Sequence, residues 1–349
     1  MAHYLPQYHP IPENSEWWGP GFTEWTNVAK AKPLFPGHIQ PNIPADLGFY
    51  DLRLPELREQ QACLAQSHGI EGFVYWHYWF GAGKRLLERP FKEVVKSKSP
   101  DFPFCLAWAN QSWSGVWHGC PNRILIEQTY PGLVDAEEHF YTLLDAFLDE
   151  RYIKINGKNL FAIFCPEDLK NANNFIDRWR ELARAESAPD FYFLAIQNHS
   201  WSRRSADFDG FTTNPPCAFR QFQNRIKRIN FNGKAYQLKP EGPYVLSYEE
   251  YVKKVSSAPF WEDRNYPCVV PNWDNTPRTK KNGFVYLGST PSLYKRHLQE
   301  AVDLVSSRPA DERIVFIKSW NEWAEGNYLE PDLLHGRDYL KATLDVVKS

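Results

Sequence analysis

Short apolar runs alternate with amphipathic segments along most of this chain. Many of the runs are rich in β-branched and aromatic residues, which is typical of strands that are buried in a parallel sheet. The runs predict eight strands, at residues 2–5, 72–76, 103–108, 160–164, 191–196, 209–213, 268–270 and 314–317. Apolar residues at helical spacing predict helices at residues 55–67, 85–96, 135–149, 172–186, 248–255, 292–305 and 336–346.

This alternation indicates the α/β class with a parallel sheet. We expect one domain, spanning residues 1–349, that folds as a (β/α)8 TIM barrel with long βα loops; a doubly wound open sheet is the alternative. The strand count favours the barrel, and no Gly-x-Gly-x-x-Gly motif follows the first strand. Polar and aromatic residues come after nearly every strand, which matches the way barrels place their chemistry at the carboxyl ends of several strands.

Two stretches interrupt the alternation. Residues 6–55 form a loop rich in Pro, Gly and Trp, and a loop of this length is usually functional. It supplies candidates for a substrate rim, or else it is a packed cap; the candidates are Tyr8, His9, Trp17, Trp18, Glu24 and Trp25. Residues 217–246 are polar and basic, and Asn232-Gly233 predicts a hairpin turn there. We interpret them as an insertion near the active-site face.

The last predicted strand leads into the most informative segment. After the apolar run Ile314–Ile317 the chain changes to Trp, Asn and two Glu. Glu322 and Glu325 are three residues apart, so a single helical turn would place them on one face, with about 5–6 Å between their Cβ atoms. Glycoside cleavage needs such a pair of carboxyl groups. Either glutamate could instead cap the following helix or pair with Lys318.

Other strand ends carry aromatic and amide side chains. Indole faces suit sugar rings, although an aromatic-rich core would also account for the fourteen Trp residues. The predicted substrate-binding residues are Tyr8, His77, Tyr78, Trp108, Asn110, Trp113, Trp273, Asp274, Asn275 and Asn321, and Gln197 and Asn214 lie at further strand ends. Asp274 is either a third functional carboxylate or a hydrogen-bonding residue of its own loop. Glu330 and Asp332 are predicted to be first-turn acids of a helix.

Composition and charge narrow the possible partners. Forty Lys and Arg nearly balance 42 Asp and Glu, and no long basic block occurs, so we expect neither a nucleic acid nor an anionic membrane surface as a partner. The six Cys are scattered, and the Cys and His spacings fit no metal site, so we expect no cofactor and no metal. No apolar stretch approaches 18 residues and no signal peptide is visible, so we expect a cytoplasmic protein without a membrane span.

Several motifs together resemble the WbsX family. They are Leu5–Asn14, Trp17–Gly19, Gly21–Val28, Pro44–Asp51, Tyr75–Phe80 and Ser319–Gly326. Members of that family come from bacterial O-antigen polysaccharide gene clusters and are often labelled glycosyltransferases. The family is in turn similar to glycoside hydrolase family 99, the endo-α-mannosidase and endomannanase type of (β/α)8 barrel. The link is the Asn-Glu-Trp-x-Glu-Gly segment, which is matched here from Asn321 to Gly326.

The resemblance implies roles for the two glutamates. Glu322 would act as the base on the 2-hydroxyl of the sugar and so give a 1,2-anhydro intermediate, and Glu325 would be the general acid and then the base, with net retention. One motif departs from the family. Where members commonly have Trp-Ala-Asn-Glu-Asn-Trp, this chain has Gln111 and Ser112 between Asn110 and Trp113, and Gln111 cannot ionise. His118 also stands where an acid would be expected.

Three functions remain open from the sequence. The first is a retaining glycoside hydrolase of the family 99-like type, acting on a bacterial or environmental polysaccharide or oligosaccharide. The second is a glycosyltransferase in O-antigen, lipopolysaccharide or capsule biosynthesis, and the third is a non-catalytic glycan-binding barrel. A transferase that uses a nucleotide sugar normally needs a phosphate cradle or an Asp-x-Asp metal site. We identify no phosphate cradle and no metal site of this type, although Asp207-Phe208-Asp209 has the Asp-x-Asp spacing, so the residues favour hydrolysis, with a glycan as the substrate.

Overall fold

A computed structural model describes residues 1–115, 120–197, 207–215, 224–256 and 264–348 of the chain. Within these ranges the side chains of residues 120–122, 197 and 256 are not described. His118 and the side chain of Gln197, both singled out from the sequence, therefore lie outside the described residues.

The central sheet is a parallel barrel, which confirms the predicted fold class. Its strands are Ala2–Tyr4, Phe73–His77, Phe104–Trp108, Lys158–Ile163, Phe191–Gln197, Gly210–Thr213, the pair Asn265–Tyr266 and Cys268–Val269, and Phe316–Ile317. Each pairs in parallel with its neighbours in this order. Asn265–Tyr266 pairs with the sixth strand and Cys268–Val269 with the eighth, so the two segments form one strand around Pro267. The eighth strand also pairs with the first, so the ring of strands is continuous except between the two segments of the seventh strand.

The longer helices pack around the barrel through an apolar face, and three shorter ones lie in the loops. They are Pro12–Trp18, Glu24–Lys30, Pro55–Ser67, Arg89–Ser97, Leu133–Phe147, Ala172–Ala185, Tyr248–Ser256, Thr276–Thr279, Pro291–Val305 and Asp338–Val347. In Ala172–Ala185 the buried positions Phe175, Trp179 and Leu182 follow helical spacing. The Trp179 indole nitrogen donates to the carbonyl oxygen of Ala136 over 2.9 Å. Burial of each large apolar side chain stabilises the fold by about 1.5–3 kcal/mol.

The N-terminal stretch, predicted to be a loop, contains the two short helices Pro12–Trp18 and Glu24–Lys30. Each has seven residues, which is too short for apolar periodicity to appear. The second helix packs against the segment that carries Glu322 and Glu325, and the ring centroids of Trp25 and Trp323 are 5.6 Å apart. The stretch therefore brings side chains to the carboxyl ends of the barrel strands.

Residues 224–256 contain the predicted hairpin, formed by Arg228–Phe231 and Lys234–Gln237 around Asn232-Gly233. A parallel pair of strands, Tyr244–Ser247 and Phe284–Leu287, was not predicted. It has a small apolar core of its own, formed by Leu246, Tyr248, Tyr251, Val252, Val255, Val270, Trp273, Phe284 and Tyr286. A second hairpin, Trp113–Gly115 with Cys120–Ile126, also escaped the sequence analysis. None of the described helices has the length and apolar character needed to cross a bilayer.

Candidate active site

The two glutamates follow the eighth barrel strand within one tight turn. Glu322 ends the short strand Asn321–Glu322, and Glu325 ends the 3₁₀ turn Trp323–Glu325. A 3₁₀ turn has about three residues per turn, so residues three apart lie on the same face. The backbone N–H of Asp274 donates to the carbonyl oxygen of Glu325 over 2.7 Å and fixes the end of the turn. Both carboxyl groups consequently face one cavity.

A single guanidinium joins three carboxylates at this point. Arg278 donates from Nη2 to Glu322 Oε1 over 2.9 Å and from Nη1 to Glu325 Oε1 over 2.6 Å. Its Nε donates to Glu24 Oε2 over 3.0 Å. All four side chains are at most 11% exposed, so these charged groups have little contact with water. Buried charges persist where they are paired, and this network supplies that pairing.

The charges in the cluster shift two pKa values. Burial, followed by the negative charge of Glu325, raises the pKa of Glu322 to about 7, although Arg278 and Lys318 act in the opposite direction. Burial alone would lower the pKa of Arg278, but its three carboxylates raise it well above its usual value. A carboxyl group with a pKa near neutrality suits proton transfer at neutral pH.

The cavity beside the glutamates has a volume of about 380 Å³. It falls within the range of small-molecule sites. Its walls combine aromatic and polar side chains, including Gln7, Trp18, Phe22, Glu24, Asn27, Trp76, Tyr78, Gln111, Trp113, Arg278 and Lys318. The rings of Trp113 and Tyr78 meet edge to face at 5.1 Å, and burial next to Glu322 raises the pKa of Tyr78. Of the predicted substrate-binding residues, Tyr78 and Trp113 line this cavity.

Tyr8 and Asn321 lie behind the glutamates instead of in the cavity wall. The Tyr8 hydroxyl donates to the carbonyl oxygen of Asn321 over 2.6 Å and accepts from the N–H of Trp323 over 3.0 Å. The side chain of Asn321 accepts from the N–H of Leu5 over 2.7 Å and donates to its carbonyl oxygen over 3.1 Å. These bonds connect the end of the first strand to the glutamate turn.

Trp273, Asp274 and Asn275 support the same region from the seventh strand. Asp274 is bonded to His38, Gln40 and Thr276, over 2.6 to 3.0 Å, so its hydrogen bonds favour the loop-binding alternative. Asn275 Oδ1 accepts from the N–H of Phe284 and holds the short helix that carries Arg278. The Trp273 ring stacks on Phe284 at 5.3 Å, and Lys318 Nζ lies 5.3 Å from the Trp273 ring centroid.

The remaining predicted residues lie elsewhere on the barrel face. His77 is buried, with its Nε2 atom 2.7 Å from His139 Nε2, and burial lowers the pKa of both imidazoles well below the usual value. Trp108 and Asn110 border a second cavity. Asn110 Nδ2 donates to the Cys165 carbonyl oxygen and Asn110 Oδ1 accepts from the Cys165 N–H, each over 2.8 Å.

Arg278 is the site residue that sequence reasoning missed. It lies in the four-residue helix Thr276–Thr279, which shows no apolar period and no recognisable motif. The sequence suggested Lys318 as a partner of the glutamates, but Lys318 Nζ donates to Asn214 Oδ1 over 2.8 Å. Among the described residues, no group of three or more His, Cys, Asp and Glu is arranged to hold a metal ion.

The prediction that Glu330 and Asp332 are first-turn helix acids is wrong, because the last helix begins at Asp338. Glu330 is buried and accepts hydrogen bonds from Tyr50, Gln61 and Trp323 over 2.6–2.8 Å. Burial raises its pKa to about 7. Asp332 instead accepts from the Tyr328 hydroxyl and from two backbone N–H groups of the following turn.

Comparison with known proteins places this chain in a family. The sequence model described as glycosyltransferase WbsX matches residues 1–343. Protein WxcX of Xanthomonas campestris pv. campestris is 37% identical over 353 residues, which cover 98% of this chain and 48% of WxcX. WxcX of strain B100 of the same organism is 36% identical with the same coverage. The chain thus spans about half the length of these curated relatives.

Solved structures resemble the chain in fold. A glycoside hydrolase-like protein has a TM-score of 0.59 at 15% identity, over 88% of this chain and 89% of its own. The GH99 endo-alpha-mannosidase from Bacteroides thetaiotaomicron has a TM-score of 0.55 at 16% identity, over 99% of this chain and 96% of its own. Its complex with BIS-TRIS-propane has a TM-score of 0.57 at 14% identity. With the family match over nearly the whole sequence, the chain belongs to the glycosyltransferase WbsX family.

Proposed function

We propose that this protein is a retaining glycoside hydrolase that cleaves a glycosidic bond in a bacterial or environmental polysaccharide or oligosaccharide. The observation that supports this most strongly is the joint position of Glu322 and Glu325, which line one cavity and share the guanidinium of Arg278. Two carboxyl groups beside a sugar-sized space are the minimum equipment for this reaction. The aromatic walls of the cavity suit the apolar faces of sugar rings.

In this proposal the two carboxyl groups exchange protons with the substrate in two steps. Glu322 takes the proton of the 2-hydroxyl while O2 attacks the anomeric carbon, and Glu325 protonates the departing glycosidic oxygen. The glycosidic bond breaks and a 1,2-anhydro sugar remains. Glu325 then takes a proton from water, whose oxygen attacks the anomeric carbon, and Glu322 returns its proton to O2. The pKa of about 7 at Glu322 suits a base that must also give its proton back.

Transfer from a nucleotide sugar is the second candidate, and the family description favours it. The charges of the cavity argue against it. Among the described lining residues, the carboxylates Glu24, Glu322 and Glu325 outnumber the cations Arg278 and Lys318. A pyrophosphate would therefore meet repulsion from these largely buried carboxylates. A neutral glycan meets no such repulsion.

The glycan we propose to test first is α-mannan, since two of the structural neighbours are structures of an endo-alpha-mannosidase. Purified protein is incubated with α-mannan and with O-antigen oligosaccharides, with and without nucleotide sugars, and reducing ends are measured. We expect release without a nucleotide, and we expect Glu325→Gln to abolish it. Glu186→Gln is the control, because Glu186 is exposed on the outer surface, where it accepts a hydrogen bond from Tyr141.

Two results would overturn this proposal. Strict dependence of product formation on a nucleotide sugar would identify a transferase. Binding of a glycan by the wild type without any product, together with equal binding by the Glu322→Gln/Glu325→Gln double variant, would identify a non-catalytic glycan-binding barrel.

A further inference from the structure

A second cavity of about 620 Å³ lies next to the active-site cavity on the same face of the barrel. It is formed by the loops that follow the third and fourth strands and by the first turns of two helices. Gln111 and Ser112 border both cavities, so the two spaces are neighbours across this short stretch of chain. A chain-like ligand that occupies both cavities would pass over Gln111 and Ser112.

The second cavity has a fixed aromatic ring at its mouth. Tyr130 is 37% exposed, yet its hydroxyl donates to the carbonyl oxygen of Asn110 and accepts from Asn110 Nδ2, each over 2.9 Å. Its ring also packs at 5.9 Å from the ring of Trp108. Because Asn110 is itself bonded to the backbone of Cys165, the ring has little freedom to move. A rigid, partly exposed aromatic ring can bind a sugar face at small entropic cost.

Polar groups around the cavity are available to a ligand. Within the described ranges, the side chains of Asp168, Asn171 and Asn174 make no hydrogen bond, although all three line the cavity. Amides and a carboxylate beside an aromatic ring match the hydroxyl-rich edges and apolar faces of a glycan.

We infer that the second cavity binds further sugar residues of the glycan whose scissile bond lies in the active-site cavity. The substrate is then an oligosaccharide or polysaccharide long enough to cross Gln111 and Ser112, and not a simple glycoside. The charge of the cavity agrees with a neutral glycan, since Glu127, Asp135 and Asp168 line it with Lys170 as the single cation among the described residues. This inference rests on the proposed function for the place of the scissile bond.

The test compares how affinity grows with glycan length. Dissociation constants of disaccharides and hexasaccharides from α-mannan and from O-antigen are measured by calorimetry on the full chain carrying Glu325→Gln, which prevents turnover. We expect the hexasaccharide to bind at least about tenfold more tightly than the disaccharide. Adding Tyr130→Ala or Asn174→Ala should remove most of that gain.

Tyr141→Ala is the matched control. Tyr141 is also an exposed tyrosine, on the outer side of the helix Leu133–Phe147, and it borders neither cavity. This variant should keep the full increase in affinity from the disaccharide to the hexasaccharide. Tyr130→Phe keeps the ring and loses its hydrogen bonds to Asn110, so this variant should retain part of the gain in affinity. Comparison of Tyr130→Phe with Tyr130→Ala distinguishes a lost ring contact from a folding defect.

The inference is overturned if affinity does not depend on length, if Tyr130→Ala and Tyr141→Ala behave alike, or if no oligosaccharide binds. Failure of the proposed function appears differently, as an absence of reducing ends from wild type. Length-dependent binding that is lost in Tyr130→Ala would support the second cavity even in that case.

Discussion

Arg278 is the residue on which the electrostatics of the site depend most directly. Its guanidinium contacts Glu24, Glu322 and Glu325 at 2.6–3.0 Å in a largely buried position. A planar guanidinium offers donors in fixed directions, so it can orient several carboxyl groups at once, whereas an ammonium is only a point charge. We therefore treat Arg278 as a positioning residue for the two glutamates.

Removing this guanidinium should impair the proposed reaction and shift its pH dependence. In Arg278→Met, three carboxylates lose their shared cation, and displacement of Glu322 or Glu325 by about 1 Å is enough to lower kcat/KM about a hundredfold. Because Arg278 holds down the pKa of Glu322, the value should rise above about 7 and the acidic limb of the pH–rate profile should move to higher pH. Reducing-end release measured across pH tests both effects.

Arg278→Lys should keep part of the rate, because it retains the charge but not the fixed donor directions. Arg178→Met is the control. Arg178 also bridges two carboxylates, Glu137 and Glu181, but it does so on the outer surface. The pKa of Glu322 can be followed without substrate by carbon NMR of the carboxyl groups, and an unchanged value in Arg278→Met would contradict this assignment.

At the scale of single elements, the 3₁₀ turn Trp323–Glu325 decides where the second glutamate points. It ends at Gly326, which has a φ of +59°. A Cβ at this position would lie 2.9 Å from the backbone nitrogen of Asp274, the atom that donates to the Glu325 carbonyl oxygen. Glycine is needed here both for its left-handed backbone conformation and for the close approach of the neighbouring loop.

Gly326→Ala should therefore destabilise the protein and displace Glu325. We expect a loss of about 1–3 kcal/mol in the free energy of unfolding, measured by urea denaturation, together with reduced reducing-end release. Gly336→Ala is a close control, since Gly336 has a φ of +54° and nothing within 4 Å of its Cβ position. The control carries only the backbone strain, so equal losses in both variants would mean that contact with Asp274 is unimportant.

At the scale of the whole molecule, Glu330 connects parts of the chain that are distant in sequence. It accepts hydrogen bonds from Tyr50 in the N-terminal stretch, from Gln61 in the helix Pro55–Ser67 and from Trp323 in the glutamate turn. Burial raises its pKa from 4.5 to about 7 in the folded protein. Its contribution to stability is therefore fully present below pH 4.5 and is lost as the pH rises to about 7.

Glu330→Gln should remove this dependence. Between about pH 4.5 and pH 7.5 the variant should gain about 3 kcal/mol in unfolding free energy relative to the wild type, because Gln does not ionise. The difference between the two proteins is the required measurement. The pH dependence of the wild-type unfolding free energy also includes contributions from His3 and His297. Burial lowers the pKa of each imidazole to about 3, so these two residues make the unfolding free energy rise with pH up to about 6.5.

A difference in unfolding free energy that stays constant with pH would contradict the raised pKa of Glu330. Denaturation of Glu312→Gln provides the comparison for a glutamate on the surface, where the side chain accepts a hydrogen bond from Asn156.

The local sequence pattern was sufficient to predict the barrel and the position of the glutamate pair after its last strand. Buried strands such as Phe104–Trp108 have apolar residues at every position, and the apolar run before Asn321 places Glu322 and Glu325 beyond a strand end. These features depend on neighbours in the chain, so a pattern within a short window reveals them. The helices Pro12–Trp18 and Glu24–Lys30 were missed because each is shorter than that window.

Tertiary structure alone decided which residues surround the glutamate pair. Glu24 and Arg278 are far apart in the chain, yet they form one ion-pair network with Glu322 and Glu325. Pairing through space leaves no periodic mark in a sequence, and neither does the choice between a ring that lines a cavity, such as Tyr78, and one that supports a turn, such as Tyr8. The sequence alone determined the barrel and the strand end that carries the acids, whereas close packing of distant segments determined their surroundings, because burial and charge contact exist only in the folded chain.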